Sequence, residues 1–242
     1  MSELHGDDPI VALAKSSEAG SLQDLLARLV AGSVSHVVAV DVGSGAVGLD
    51  SPSLPAGSLV LPGSFNPLHE GHEEMARRSA EVTSRYSKDV FFEICVVNAD
   101  KGAIDVDELI RRIQGVVARG YRVLATRASL FDAKAALCPG CDFAVGYDTY
   151  RRILDAKYAA PAGQSLESST AEERRSWVLE ALRRLKCHRV HFVVAGRVDG
   201  DGFKTMDTDP VMELPEEFEG MFLPVPNFRL DISSSALRAQ SS

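Results

Sequence analysis

Residues 61–72, with the sequence LPGSFNPLHEGH, decide the fold that we predict for this chain. The apolar run just before them predicts a strand, Gly63 a turn, and the residues from Glu73 onward a helix. This order makes an anion site, because unpaired backbone N–H groups and the helix dipole both favour negative charge at a helix start. His69 and His72 are three residues apart, so both imidazoles can point at the same anion and donate hydrogen bonds to it. The sequence therefore predicts a phosphate site here.

A second segment near the end of the sequence, residues 231–238 with the sequence DISSSALR, has a related pattern. Ser233 is predicted to cap a helix whose first-turn N–H groups and hydroxyls face a phosphate. Arg238 follows on the next turn and offers a delocalised charge with paired donors. An ordinary serine-capped helix is the alternative interpretation. Together with the first segment, this one predicts a triphosphate site divided between two helix starts.

Strands and helices alternate between these two segments. The predicted strands are residues 59–61, 91–97, 121–125, 142–145, 189–195 and 221–225, and the helices are 106–119, 130–137, 150–157 and 171–186. This alternation predicts an α/β fold built on a Rossmann-like parallel sheet. Ligands of such sheets bind outside the carboxyl ends of the strands, so the residues just after each strand are candidates for the site. For each of these residues, a capping or turn role is the alternative.

The first 56 residues are predicted to be an N-terminal extension to which we assign no chemistry, and residues 57–242 the main domain. Residues 7–32 have a helical pattern with Pro9 at the first helical position, and residues 36–40 are predicted to form a strand. Residues 43–57 are rich in Gly, Ser and Pro, which predicts a linker or an exposed loop.

Composition excludes several classes of function. The 242 residues are 45% hydrophobic, and the net charge of −8 with a pI near 5.3 gives no electrostatic footprint for nucleic acid or an anionic membrane. Four arginine pairs in helical patterns are predicted to be solvated: residues 111–112, 151–152, 174–175 and 183–184. No apolar run approaches a membrane span, and the first residues lack the order of a signal peptide. We therefore expect an intracellular, cytoplasmic protein.

The four cysteines fit that compartment as free thiols. Cys138 and Cys141 have CxxC spacing, and Cys187, His188 and His191 could add ligands, so a zinc site is an alternative interpretation. One CxxC without a second pair is a weak signal. The intervening Pro-Gly predicts a turn that leads into the strand at residue 142.

Both end segments resemble the nucleotidylyltransferase superfamily. Residues 63–72 fill every specified position of its GxFxPxHxGH signature, and residues 232–238 resemble its ISSTxxR signature. The departure is Ser235 in place of the usual Thr, which keeps the hydroxyl group. The blocks NADK, TRAxLF, GYDT and AGR after successive strands resemble nicotinamide-mononucleotide adenylyltransferases, most closely eukaryotic ones. The resemblance covers residues 59–240 and is more specific at its two ends than in the middle.

This resemblance implies a HIGH-type nucleotidylyltransferase fold that transfers a nucleoside monophosphate from a triphosphate to a phosphorylated acceptor and releases pyrophosphate. ATP and nicotinamide mononucleotide would give NAD. His69, His72 and Arg238 are then the predicted catalytic residues. The predicted nucleotide- and phosphate-binding residues are Gly63, Ser64, Phe65, Lys101, Arg127, Asp148, Gly196, Arg197, Ser233, Ser234 and Ser235. Mg²⁺ is expected to arrive with the nucleotide, held by phosphates and water, so no residue is assigned as a metal ligand.

Three alternatives stay open at this point. The same fold could use CTP with a phosphocholine or phosphoethanolamine acceptor, although the RTEGISTS-type ending usual in those cytidylyltransferases is absent. It could also use ATP with phosphopantetheine. A protein of a different class would bind the nucleotide, or act as a scaffold, without turnover. The expected partners are ATP or CTP and a small phosphorylated acceptor, without nucleic acid or membrane. A homo-oligomer is left open.

Overall fold

The structure is a computed structural model of the 242-residue chain. It describes residues 9–15, 21–43, 45–50, 54–84, 89–98, 102–199, 202–226 and 228.

Eight helices and twelve strands lie within these ranges. The helices are α1 (Pro9–Lys15), α2 (Leu22–Ala31), α3 (Glu70–Val82), α4 (Val106–Val117), α5 (Phe131–Leu137), α6 (Tyr147–Ile153), α7 (Ala156–Ala159) and α8 (Ala171–Cys187). The strands are β1 (His36–Asp41), β2 (Ala46–Asp50), β3 (Leu59–Pro62), β4 (Val90–Cys95), β5 (Val97–Asn98), β6 (Gly102–Ala103), β7 (Arg122–Thr126), β8 (Asp142–Gly146), β9 (His191–Ala195), β10 (Arg197–Asp199), β11 (Gly202–Lys204) and β12 (Phe222–Pro224).

One eight-stranded sheet organises the described residues, in the order β12-β9-β8-β3-β4-β7-β1-β2. The first six of these strands pair in parallel, which confirms the prediction of an α/β fold with a parallel sheet. Numbered along the chain, these six strands lie in the spatial order 3-2-1-4-5-6, the order found in Rossmann folds. The order reverses between β3 and β8, and ligands of such sheets bind at that reversal, outside the carboxyl ends of the strands.

Helices cover both faces of the sheet. Buried residues of α2, α3 and α4 form one hydrophobic core, and those of α1, α5, α6 and α8 form the other. Because both faces are covered, the central strands are apolar in almost continuous runs, as in LVLP and VFFEIC. Glu93 in the middle of β4 is a charged exception and is 1% exposed.

Side-chain caps close to each helix in sequence set the starts of α4 and α8. The Asp105 carboxylate caps α4 by accepting from the backbone N–H groups of Asp107 and Glu108, at 3.0 and 3.3 Å. Thr170 and Glu173 form a capping box at the start of α8, with N···O distances of 2.7 and 3.2 Å. Both boundaries lie within a residue of those predicted from sequence.

The N-terminal segment differs from its prediction. Its helical pattern contains two described helices on opposite faces of the sheet, α1 and α2, and Gly32 caps the end of α2. The prediction of a linker over residues 43–57 is wrong for β2, which pairs antiparallel with β1 as β1 does with β7. Gly43 and Gly45, which lie between β1 and β2, have positive φ angles of 85° and 111°.

Of two further predictions, one boundary differs and one turn is confirmed. The helix predicted over residues 150–157 is divided into α6 and α7, because Asp155 caps a new helix by accepting from Lys157 N–H at 2.9 Å. The predicted turn at residues 138–141 is confirmed, with Cys141 N–H donating to the Cys138 carbonyl at 3.3 Å before β8 begins.

None of the helices in the described part of the chain has the length and hydrophobicity that a membrane span requires.

Candidate active site at the carboxyl end of β3

A tight turn follows β3 at the reversal of strand order, and Phe65 anchors it. Phe65 has a φ of +44°, a left-handed conformation that is strained for a residue with a bulky side chain. Its ring is 2% exposed and packs edge-on against Phe92 and His72, with centroid distances of 5.0 Å in both cases. Burial of the ring therefore holds a backbone conformation of the kind that accumulates at functional sites.

Gly63 makes this arrangement of the turn sterically possible. A Cβ atom at Gly63 would lie 2.6 Å from the Phe65 ring, so any side chain would displace that ring. The Gly63 N–H donates to the Glu93 carbonyl of β4 at 2.9 Å, which ties the start of the turn to the sheet. We refer below to residues 63–69 as the histidine turn.

The first turns of α4 hold the other side of the histidine turn. The Glu108 carboxylate accepts from Asn66 Nδ2 at 3.1 Å and from Arg112 Nε at 2.8 Å. Arg112 also donates to the Ser64 carbonyl at 3.2 Å. The prediction that this arginine lies on a solvated face is therefore wrong, because it is half-buried against the turn. Hydrogen bonds from Arg111 and Arg112 lower the pKa of Glu108, which stays ionised in this role.

His69 and His72 stack on each other at the start of α3. His69 is the N-cap residue, and the ring centroids are 3.7 Å apart with an interplanar angle of 24°. The His69 backbone N–H lies 3.4 Å from His72 Nδ1 and donates to it, so the neutral His72 ring carries its proton on Nε2. His69 is 8% exposed, and its Nδ1 is buried without a hydrogen-bond partner among the described residues.

Both histidines are held in the neutral form. Burial lowers the pKa of His72 to about 4, and the neighbouring His69 contributes to the same shift. Burial also lowers the pKa of His69, with a further contribution from the Arg119 guanidinium, while Glu73 acts in the opposite direction. Near neutral pH the pair therefore presents uncharged N–H donors at a helix N-terminus, an arrangement that favours an anion.

Arg119 and Glu73 were missed by sequence reasoning. They form an ion pair beside the histidines although 46 residues separate them. Glu73 lies in the first turn of α3, whereas Arg119 follows α4 in what reads as an ordinary helix end. No local signal in the sequence links the two, because the contact depends on how α3 and α4 pack.

Arg127, predicted to bind phosphate, lies just past the carboxyl end of β7, but its side chain contacts the end of α2. Its Nη1 donates to the carbonyls of Leu29 and Val30 at the end of α2, at 3.2 and 2.5 Å. A helix end carries unpaired carbonyls and partial negative charge, so a guanidinium stabilises it. The structure therefore does not bring Arg127 to the histidine pair.

Asp148 and Arg197 are brought together. Asp148 lies in the first turn of α6 after β8, Arg197 begins β10 after β9, and their side chains form an ion pair. Gly196 allows the chain to pass close to the β10–β11 hairpin, since a Cβ there would lie 2.4 Å from the Phe203 ring. These three predicted residues share the carboxyl edge of neighbouring strands with the histidine turn.

A pocket of about 350 Å³ opens between α8 and the segments that follow β7 and β8. Its lining includes Ser129 and Leu130 after β7, Thr149 and Arg152 of α6, and Tyr158 of α7. Leu130 and Tyr158 are 54% and 49% exposed, which is high for apolar and aromatic side chains. The strands that precede two of the lining segments, β7 and β8, belong to the same sheet as β3, and no residue of the histidine turn itself lines the pocket.

The cysteine pair lies away from the histidine turn. Cys138 and Cys141 are buried free thiols, and a hydrogen bond to Cys141 together with burial raises the pKa of Cys138. Cys187 is exposed, and His191 contacts the Asp142 carboxylate at 3.1 Å. The described residues contain no group of three His, Cys, Asp or Glu side chains arranged to hold a metal ion.

Several predicted site residues lie outside the described residues: Lys101, Ser233, Ser234, Ser235 and Arg238. Of those described, Gly63, Ser64, Phe65, His69 and His72 lie together in the histidine turn or the helix start that follows it. The Phe65 side chain belongs to the core, so only its backbone is available to a ligand.

No protein-family model matches the chain, and no curated protein matches it either.

Proposed function

We propose that this protein is a HIGH-type nucleotidylyltransferase that uses ATP and nicotinamide mononucleotide to form NAD and pyrophosphate. The observation that carries the proposal is the stacked histidine pair at the N-terminus of α3, at the strand-order reversal. A helix N-terminus alone is a common feature. Here it is accompanied by a buried imidazole nitrogen that lacks a hydrogen-bond partner among the described residues, and a buried polar group of this kind requires one.

The proposed reaction needs no general base. A phosphomonoester has a second pKa of about 6, so the acceptor phosphate is largely a dianion near pH 7. One of its oxygens attacks the α-phosphorus of ATP, a new P–O bond forms, and the bond to the β-phosphate oxygen breaks. Pyrophosphate leaves with the electron pair of the broken bond. Catalysis then rests on aligning the acceptor and on stabilising the charge that develops on the transferred phosphoryl group and on pyrophosphate.

The histidines supply that stabilisation in this proposal. His72 Nε2–H donates to the triphosphate, and this hydrogen bond strengthens as negative charge develops in the transition state. His72 acts as a neutral donor, because its Nδ1 accepts from the His69 backbone N–H and burial keeps its pKa low. The orphaned Nδ1 of His69 gains a partner when the site is filled. Ser64 and the backbone of Phe65 line the turn against the phosphates.

The roles proposed for the remaining site residues come from the resemblance of the sequence to the nucleotidylyltransferase superfamily. Ser233, Ser234, Ser235 and Arg238 would hold the β and γ phosphates, and Lys101 would add charge. Asp148 would contact a ribose or base after releasing Arg197. The acceptor would enter the pocket lined by Leu130 and Tyr158, whose apolar and aromatic surfaces suit a planar ring.

Mg²⁺ is proposed to enter with ATP, bound mainly by phosphate oxygens and water. The described residues near the histidine turn do not form a protein site for it, so no step is assigned to protein-bound metal. The ion would neutralise charge on the triphosphate.

Replacement of His72 by Ala tests the proposal. We expect pyrophosphate release from ATP and nicotinamide mononucleotide to fall by a factor on the order of 10² to 10³, because a donor to the transition state is lost. The melting temperature should stay close to that of the wild type. His188→Ala is the matched control, since His188 ends α8 away from the site, and it should turn over normally. Normal turnover by His72→Ala would contradict the mechanism.

A further inference from the structure

A buried charged cluster lies on the face of the sheet opposite α3. Glu93 Oε1 accepts from Lys134 Nζ at 2.6 Å and from Thr126 Oγ1 at 2.6 Å. The Glu93 and Lys134 side chains are 2% and 7% exposed, and Thr126 is 1% exposed. The proposed mechanism uses none of these three residues, which we call the Glu93 cluster.

The Glu93 cluster fixes both ends of one short segment, residues 127–130, which we call the pocket loop. Thr126 precedes the pocket loop, and its hydroxyl accepts from the Ala128 N–H at 3.2 Å. Lys134, in the last turn of α5, follows it. Because both residues donate to the same carboxylate oxygen, the two ends of the pocket loop are held at a fixed separation. Ser129 and Leu130 of this loop line the pocket.

The same residue also connects to the histidine turn. The Glu93 side chain holds the pocket loop, while its backbone carbonyl accepts from the Gly63 N–H at 2.9 Å. One residue of β4 is therefore bonded to both the pocket loop and the turn that carries the histidines. Any shift of Glu93 would move the two together.

Stability alone is a poor explanation for such a cluster. Removing two charges from water carries a desolvation penalty, so apolar side chains of similar volume often stabilise a fold as well or better. Unlike apolar packing, hydrogen bonds between charged groups fix one relative geometry of the side chains. In the Glu93 cluster the carboxylate accepts from both the Lys134 ammonium and the Thr126 hydroxyl, which suits a positioning role.

We propose that Glu93, Thr126 and Lys134 are positioning residues that hold the pocket loop in its acceptor-binding conformation, in register with the histidine turn. This inference rests on the proposed function, with the pocket as the acceptor site. The cluster does not touch the substrates. Its loss should therefore weaken acceptor binding selectively and leave the triphosphate site intact.

Thr126→Val removes the hydroxyl while keeping the shape of the side chain, and Thr126→Ser keeps the hydroxyl. With MgATP and nicotinamide mononucleotide, we expect Thr126→Val to raise the acceptor KM on the order of tenfold, because the pocket loop is displaced. The KM for ATP and kcat should stay within about twofold of the wild type, and Thr126→Ser should restore the acceptor KM. Equal changes in both KM values, or no change in either, would overturn the proposal.

Amide hydrogen exchange separates this proposal from the proposed function. The Ser129 and Leu130 amides, which do not bond to the Thr126 hydroxyl, should exchange faster in Thr126→Val than in the wild type and Thr126→Ser, with amides of β3 and α4 unchanged. If the wild type shows no turnover, the proposed function fails, and this exchange result alone decides whether the cluster orders the pocket loop. Unchanged exchange at Ser129 and Leu130 would overturn the positioning role.

Discussion

Two buried polar groups lie on opposite faces of the sheet and differ in how their hydrogen bonds are satisfied. In the Glu93 cluster, the carboxylate oxygen accepts from an ammonium and a hydroxyl, both at 2.6 Å. In the histidine pair, by contrast, His69 Nδ1 is buried without a partner among the described residues, and the rings meet by stacking.

This difference separates a buried group that stabilises one geometry of the fold from a buried group that a ligand could hydrogen-bond. A buried polar group that is paired contributes a fixed geometry, whereas an unpaired one carries a desolvation penalty that a ligand can relieve. The unpaired nitrogen lies at the helix start after β3, where the strand order reverses. The Glu93 cluster joins β4, the strand next to β3, to the end of β7 and to α5. Substitutions in the two groups should therefore affect different properties.

The largest expected effect is on stability and comes from Lys134→Met. Removing the ammonium leaves the Glu93 carboxylate buried with only the Thr126 hydroxyl, so the free energy of unfolding should fall by about 3–5 kcal/mol. The double variant Glu93→Gln, Lys134→Met removes both charges and should recover more than half of this loss. Urea denaturation measures both. A double variant no more stable than Lys134→Met alone would show that charge pairing is not the cause.

The next effect is a pH dependence that comes from His72. Its pKa is about 4 in the folded chain against 6.5 in the unfolded chain, so the unfolded state binds more protons between these values. Stability is complete above pH 6.5 and is lost as the pH falls through 4. The loss should be on the order of 2–3 kcal/mol, discounted for the partial exposure of the ring.

Denaturation at a series of pH values measures this effect, with His72→Asn as the comparison. The variant should lose less stability between pH 6.5 and pH 4 than the wild type does. Parallel stability curves for the two proteins would mean that His72 is not held neutral by burial.

A smaller effect is expected from Arg127→Ala. Because Arg127 bonds to the carbonyls at the end of α2, its loss should lower stability by about 1 kcal/mol. The KM for ATP should not change. A raised KM for ATP at unchanged stability would instead support the phosphate role that the sequence predicted, and would place this residue with the histidine pair.

A change of the same size and opposite sign is expected at a second unpaired group, the Ser79 hydroxyl in the second half of α3. This oxygen is buried without a hydrogen-bond partner among the described residues, and it lies two to three turns beyond the histidines. Ser79→Ala should raise stability by about 1 kcal/mol, because an unsatisfied group is removed and alanine favours helix. Turnover should be unchanged. Lower stability in a thermal melt would mean that the hydroxyl has a partner.

Sequence was sufficient for the parts of this molecule that depend on neighbouring residues. The strand, glycine turn and helix start at residues 61–72 follow from local propensity, and alternation of strands and helices predicted the parallel sheet. The glycines around β2 predict a linker, because a hairpin turn and a linker share the same composition. The pairing of β1 and β2 at the sheet edge depends on long-range contacts that composition does not encode.

The contacts that side chains make at the site were harder to predict from sequence. Arg127 follows a strand as a site residue should, yet an α2 carbonyl nearly a hundred residues away attracts its guanidinium. Glu93 looked like one polar residue in an apolar strand, and its partners Thr126 and Lys134 come from two later elements. In each case the deciding contact joins residues far apart in sequence, so only the packed structure reveals it.

One measurement decides whether the histidine turn serves nucleotidyl transfer. The purified protein is incubated with Mg²⁺, either ATP or CTP, and a set of acceptor phosphates that includes nicotinamide mononucleotide, phosphopantetheine, phosphocholine and phosphoethanolamine. Pyrophosphate release is recorded for every pair. We predict release with ATP and nicotinamide mononucleotide, accompanied by NAD. Release with another pair would keep the mechanism and change the substrate, whereas no release with any pair would contradict the proposed transfer.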